Sequence, residues 1–310
     1  MTTPLRFRPD GTFTIVQFTD THWHNGEPED LRTAALMAAV LDAEQPDLVV
    51  LTGDVIDGGH CAGPAAAWRS AVDPIVARGL PWAAVFGNHD DEGALDRHAL
   101  MAVQQEIPGC LSQPGPEAVT GVGNFVLPVH SGCEDGAAAR LYYLDSNAYA
   151  TTGVGGYGWI QRSQIAWYWE SAHALRARNG GEWLPALAFF HIPLPEYHEV
   201  WNNHICRGHR HEPICSPVIN SGFFAALHEA GEVLGTFVGH DHINDFEGEL
   251  YGVRLCFGRS TGFNTYGMEG FKRGARMIRL VEGERAFTTW LRLEEGEVVL
   301  AQPVHAPDRD

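Results

Sequence analysis

Five apolar runs in this chain each end in a polar group able to bind a hard divalent metal, and this recurrence limits the possible folds sharply. Phe13 to Thr19 is rich in β-branched and aromatic residues and leads into Asp20-Thr21-His22. Asp47 to Thr52 is a short continuous apolar run, as expected of a strand buried on both faces, and Gly53-Asp54 follows it. Trp82 to Phe86 leads into Gly87-Asn88-His89-Asp90, Leu187 to Phe190 into His191, and Leu234 to Val238 into Gly239-His240-Asp241-His242. Each strand thus delivers a polar group at its carboxyl end, the edge where open α/β sheets build ligand sites. Strand ends often carry Asp, Asn and Gly simply as turn residues, which explains Asp54 or Asn88 taken singly. It does not explain histidines at four such junctions.

Carboxylate, imidazole and amide oxygen make a mixed nitrogen and oxygen donor set without thiolate. That set suits manganese, iron or zinc in catalytic use better than a closed structural zinc. A two-metal site holds its ions about 3.5–4 Å apart and needs an anionic ligand between them. Asp54 is the candidate bridge. Asn88, being neutral, limits the accumulated negative charge.

The order D-x-H, G-D, G-N-H-D, H, G-H-x-H, running from Asp20 to His242, resembles the calcineurin-like metallophosphoesterase superfamily. By that resemblance Asp20, His22 and His242 would bind one metal, Asn88, His191 and His240 the other, and Asp54 both. His89 would face the substrate, stabilising phosphoryl oxygens or protonating the leaving group. The implied activity is a phosphoric ester hydrolase whose dinuclear centre activates water for in-line attack on a phosphomonoester. A phosphodiesterase on cyclic nucleotides or phosphodiester lipids uses the same ligands, and a non-catalytic scaffold of the same fold is the remaining alternative.

The segments Leu144-Asp145-Ser146, Gly156 to Ile160, Phe190 to Glu196 and Gly239 to Phe246 look like the small single-domain phosphatases related to purple acid phosphatases. The purple enzymes' G-D-x-x-Y places a metal-binding tyrosine three residues after the bridging aspartate, where this chain has Asp57. The protein should therefore not be purple, with His22 taking the tyrosine's place. Asp57 either holds the tautomer of His89, as an aspartate does in the Ser/Thr phosphatase branch, or is a turn residue before Gly58-Gly59.

Composition narrows the partners. The formal net charge is −18, which argues against nucleic acid and anionic membrane surfaces. Arg276 and Arg279 read as one solvated strand face. The expected substrate is a small-molecule phosphoester or a phosphoprotein. Six cysteines lack C-x-x-C spacing, and neither a secretory signal nor an 18-residue apolar run is seen, so a cytoplasmic enzyme with reduced thiols is expected. His204, Cys206, His209, His211 and Cys215 match no standard zinc finger and read as a loop near the site mouth.

The pattern predicts helices over Pro28 to Gln45, Pro64 to Arg78, Glu92 to Ile107 and Gln161 to Arg178, then strands over Leu250 to Phe257, Ala275 to Val281 and Phe287 to Leu293. These imply an α/β sandwich of two packed mixed sheets flanked by helices. Because the metal blocks span the chain, residues 1–301 are expected to form a single metallophosphoesterase domain, and 302–310 a disordered tail. The pocket walls should come from the segment between His191 and Ser221 and from the glycine-rich Gly258 to Phe271. In the latter, Arg259 either grips a phosphate oxygen pair or tethers the loop.

Overall fold

A strand with apolar side chains on both faces needs cover on both, and a helix–sheet–sheet–helix stack supplies it. The computed structural model describes residues 4–307. Its first third runs β1 (Thr12–Phe18), α1 (Pro28–Glu44), β2 (Leu48–Thr52), α2 (Pro64–Val76), β3 (Trp82–Val85) and α3 (Arg97–Glu106). The middle runs β4 (Phe125–His130), β5 (Ala137–Tyr143), α4 (Arg162–Arg178), β6 (Ala186–Phe189), α5 (Glu196–Asn203), β7 (Cys206–Arg207) and α6 (Phe223–Ala230). The remainder is β8 (Val233–Val238), β9 (Glu247–Leu250), β10 (Val253–Phe257), β11 (Gly274–Val281), β12 (Phe287–Leu293), β13 (Val298–Val299) and β14 (Val304–His305).

The strands form two mixed sheets, of order β13-β12-β11-β1-β2-β3 and β14-β7-β9-β10-β8-β6-β5-β4. In the first, β1, β2 and β3 are parallel; in the second, β5, β6, β8 and β10 are. In each sheet, side chains alternate between a shared inner core and an outer one. Leu48 and Val50 join Phe13, Ile15, Tyr143, Leu187 and Phe237 between the sheets. Val49 and Leu51 join Leu36, Met37, Trp68 and Phe86 beneath the first helices. On the far side Tyr142, Leu144 and Ala188 pack with Tyr168, Phe223 and Leu227. Burying a side chain of this size fully is worth about 1.5–3 kcal/mol. A one-residue slip would exchange the two faces, so register is fixed by the packing.

Several expectations need correction. Residues 250–257 are the end of one strand, a turn at Tyr251–Gly252, and a second strand, since β9 and β10 pair antiparallel. The β4–β5 hairpin and the helices α5 and α6 lacked a clear sequence signal. The 302–307 stretch is ordered: β14 pairs with β7, and the His305 ring stacks on Trp201 at 3.9 Å. Residues 308–310 lie outside the described residues. Arg276 and Arg279 do not share a solvated face. Three residues apart on a strand, they point to opposite sides. Arg276 is fully buried, its Nε donating to the Phe257 carbonyl and its Nη1 to Thr289 Oγ1 at 3.0 Å.

Candidate metal centre

The parallel strands β1, β2 and β3 of one sheet, and β6 and β8 of the other, end at a common edge of the sandwich. Beyond each strand the chain must turn at once, and four candidate ligands take left-handed backbone conformations. Their φ angles are +54° at Asp20, +44° at His22, +47° at Asp54 and +76° at His240. For non-glycine residues this costs about 1–2 kcal/mol each. Such strain persists where surrounding structure over-determines it, and it clusters at functional sites.

Backbone ties hold the turns together. Asp20 N–H donates to the Gly53 carbonyl at 3.1 Å and His22 N–H to that of Asp54 at 2.9 Å. The Asp90 carboxylate accepts from the N–H groups of Gly87 (2.7 Å), Ile56 (3.0 Å) and Asp54 (3.1 Å), joining the second and third loops. Two glycines are demanded by crowding. A Cβ on Gly87 would lie 2.1 Å from Asp54 Oδ1, and one on Gly239 1.9 Å from Thr19 Oγ1.

Two groups of donor atoms result, each spanning no more than 4.8 Å: Asp20, His22, Asp54 and His242, and Asp54, His191 and His240. Asp54 belongs to both. Asp54 Oδ2 lies 3.5 Å from His22 Nε2 and 3.1 Å from His191 Nε2, and Asp20 Oδ1 lies 3.6 Å from His242 Nε2. Asn88 Oδ1 adjoins the second group, 3.3 Å from His191 Nε2. Separations of this size are the edges of a coordination shell with metal–ligand bonds of about 2.0–2.2 Å.

The residues fit a pair of cations on a further count. Asp20 Oδ2, His22 Nε2, Asp54 Oδ2 and His240 Nε2 are all buried without a hydrogen-bond partner. Orphaned buried polar atoms are costly, and four converging in one place call for a cation. Burial lowers the pKa of His22 to about 4 and that of His240 to about 3, leaving both imidazoles neutral, as ligands must be. Burial opposes charge on Asp20 and Asp54, but neighbouring histidines win: Asp20 is lowered to about 2 by His242, and Asp54 lies well below the usual carboxylate range through His191. At His191 burial is outweighed by Asp54, which lifts its pKa to about 9. Its Nδ1–H donates to the Thr52 carbonyl at 2.8 Å, aiming Nε2 inward, while His242 Nδ1 bonds Thr265 Oγ1.

His89 belongs to neither group that contains Asp54. Its ring sits 5.2 Å from that of His22, and its Nδ1 bonds Glu92 Oε2 at 2.7 Å. Glu92 Oε1 accepts from the Tyr149 hydroxyl at 2.8 Å, which in turn accepts from Asn88 Nδ2 at 3.1 Å. This network corrects the expectation for Asp57. That carboxylate lies near His89 but bonds His60 Nδ1 at 2.9 Å and approaches His24 Nε2 at 3.4 Å. Glu92, three residues after His89 in the same loop, was missed because its hydrogen bond depends on the loop's path and no motif marks it.

Arg259 resolves to the tethering reading. It is buried, pairs with Asp245, donates Nε to the Lys272 carbonyl and stacks on Phe271. The glycine-rich segment does border the site, since Tyr266 stacks on His242 at 4.2 Å and Asn264 Nδ2 donates to the His22 carbonyl. The 204–215 stretch touches it indirectly: Cys215 N–H points at Asp241 and Glu212 accepts from the Tyr266 hydroxyl. Among the described residues, no three donors from 204–215 converge as a metal group. All six cysteines are free, and among the described residues no helix is long and apolar enough to cross a membrane.

The pattern of the calcineurin-like phosphoesterase family matches residues 13–244. A probable inactive purple acid phosphatase 29 of Arabidopsis thaliana is 36% identical, over 94% of this chain and 85% of its own length. The phosphatase DCR2 of Saccharomyces cerevisiae is 35% identical, over 93% of this chain and 55% of its own length. A dimetal phosphatase from Danio rerio shares the fold with a TM-score of 0.57 at 16% identity, covering 89% of this chain and 98% of its own.

Proposed function

This chain belongs to the calcineurin-like phosphoesterase family, and from that premise we propose that it is a metal-dependent hydrolase of phosphomonoesters. The observation that carries the reading is the pair of buried donor groups joined at Asp54, with unpartnered atoms directed into them. In this reading Asp20, His22 and His242 would hold one ion, Asn88, His191 and His240 the other, and Asp54 would contribute to both. Two such ions supply Lewis-acid activation of water and of the phosphoryl oxygens. The nitrogen and oxygen donor set favours manganese, iron or zinc.

The chain's own part is to position and to move a proton. The Thr52 carbonyl fixes the tautomer of His191, and the Thr265 hydroxyl anchors His242 through Nδ1, so that each ring turns Nε2 toward the centre. With Nδ1 of His89 engaged by Glu92, Nε2 is the atom left to carry a proton to the leaving oxygen. Tyr149 and Glu92 hold the Asn88 amide, keeping a neutral ligand in place. The acidic surface favours small phosphoesters or phosphoprotein segments over nucleic acid. The six free thiols support a reducing, cytoplasmic setting.

A second reading, a non-catalytic scaffold, draws on the word "inactive" in the Arabidopsis relative's name. Against it stand the complete donor set and His89. Initial rates of the manganese-loaded protein on a nitrophenyl phosphate monoester and the matching diester decide among the readings. A monoester preference supports the proposal, and a diester preference replaces it with a phosphodiesterase. No cleavage with manganese, iron or zinc leaves the scaffold.

A further inference from the structure

Beyond the two donor groups that share Asp54, a third set of donors lies at the rim of the site. His24, Asp57 and His60 bring one donor atom each within 4.8 Å of one another. We propose that these three residues form a separate divalent-cation site, suited to zinc.

The geometry is that of a three-ligand site with an open fourth position. His24 Nε2 lies 3.4 Å from Asp57 Oδ2, and His60 Nδ1 lies 2.9 Å from Asp57 Oδ1. A tetrahedral zinc with bonds of about 2.0–2.1 Å spaces its ligand atoms about 3.3 Å apart. The first distance matches; the second runs to the other oxygen of the same carboxylate, so a turn of the exposed His60 ring would bring its Nδ1 to an ion held by His24 and Asp57. The two imidazoles stack at 5.3 Å with 23° between their planes, so both present ring nitrogens to the same carboxylate. Two imidazoles and one carboxylate are the donor types zinc takes in open sites.

A second observation points to a ligand. His24 Nε2 is buried and has no hydrogen-bond partner, although the rest of its residue is anchored by an N–H bond to Asp30 Oδ1 at 3.0 Å. The scaffold is rigid as well. Asp57 N–H donates to the Trp23 carbonyl at 3.1 Å, and His60 N–H and Cys61 N–H both donate to the Asp57 carbonyl at 3.0 Å. Asn25 Nδ2 ties the His60 carbonyl at 3.1 Å. The backbone that carries the three side chains is thus placed before any ion arrives, which a binding site needs.

The site also answers an electrostatic gap. The arginines nearest the centre are committed elsewhere: Arg97 to Asp145 and the Gly87 carbonyl, Arg273 to Ser260 and the Thr265 and Tyr266 carbonyls, Arg259 to Asp245. Asp57 also approaches the His89–Glu92 pair, within the same 4.8 Å span. A cation held by Asp57 would place positive charge beside the group proposed to meet the substrate.

The test is metal stoichiometry of the tag-free full chain, stripped with chelator and dialysed against micromolar zinc. About three ions per chain are expected in the wild type, about two in His24→Ala and in His60→Ala, and retention of the third-site ion in Asp54→Asn. His60 is exposed, so its replacement does not threaten folding. Saturation at two ions, both dependent on Asp54, overturns the third site and leaves the dinuclear reading intact. A third ion that survives both histidine replacements is adventitious surface zinc and overturns it equally. Saturation at one ion, lost in His60→Ala and kept in Asp54→Asn, supports the rim site while removing the dinuclear reading.

Discussion

Replacing Glu92 with glutamine separates the charge of the His89 partner from its shape. The substituted amide can still accept from His89 Nδ1–H and hold the ring, but the carboxylate charge that stabilises the protonated ring is gone. Hydrogen bonds to charged groups contribute about 1.5–3 kcal/mol and neutral ones about 0.5–1.5, so the loss in a dry site is about 1–1.5 kcal/mol. Here the side chains of His89 and Glu92 are 35% and 33% exposed. Solvent screening trims the effect to about 0.5–1 kcal/mol. At about 1.4 kcal/mol per decade, turnover should fall about 2–5-fold wherever protonation of the leaving oxygen limits the rate. An alkyl phosphate needs that proton, whereas nitrophenolate leaves without it. The assay is kcat on both substrates for wild type and Glu92→Gln, with metal content checked in each. The expected result is a loss of about 2–5-fold on the alkyl ester, no loss on the nitrophenyl ester, and KM unchanged on both. Equal losses on the two substrates would mean that Glu92 acts through Tyr149 and Asn88 on the metal ligands, and the proton-delivery reasoning would fail.

Removing the ring itself in His89→Ala should leave both ions bound and slow alkyl-ester turnover by about 10²–10⁴-fold; a wild-type rate would assign the role to another group. Arg259→Ala strips a buried carboxylate of its guanidinium, although His209 N–H still donates to Asp245 at 2.7 Å. Stability measured by urea unfolding should drop by about 3 kcal/mol with KM unchanged, while a raised KM at wild-type stability would restore the phosphate-gripping role. Gly87→Ala forces a Cβ to within 2.1 Å of Asp54 Oδ1. The variant should keep its far-ultraviolet circular dichroism and lose metal by elemental analysis, and full occupancy would show that the turn can relax without moving the bridge.

The ordering of apolar runs and polar ends was legible because it depends on local facts. An apolar run such as Asp47 to Thr52 must be covered on both faces, and the residue two places past its end, Asp54, must then emerge at the sheet edge. The same logic placed Asp20, His22, Asn88, His191, His240 and His242, and with Asp54 these positions supply both donor groups in the structure. The helices α1, α2 and α4 were found within two residues at each end, since their apolar spacing is local as well. The β4–β5 hairpin and the β14 edge strand were not found. Their pairing energy comes from distant partners, and residues 304–305 carry no periodic signal of their own.

What tertiary structure alone decided is which polar side chains meet. Asp57, Glu92 and Arg259 are all chemically able to act at a phosphate site, and sequence offered no ground for choosing among them. The fold gave His89 to Glu92, bound Arg259 to Asp245, and turned Asp57 toward His24 and His60. It also buried Arg276, which a strand pattern alone leaves on either face. Side-chain type and strand position are written in the chain. Hydrogen-bond partnership at a few tenths of an ångström is set by how loops from separate strands pack against each other, a non-local property that no residue carries by itself.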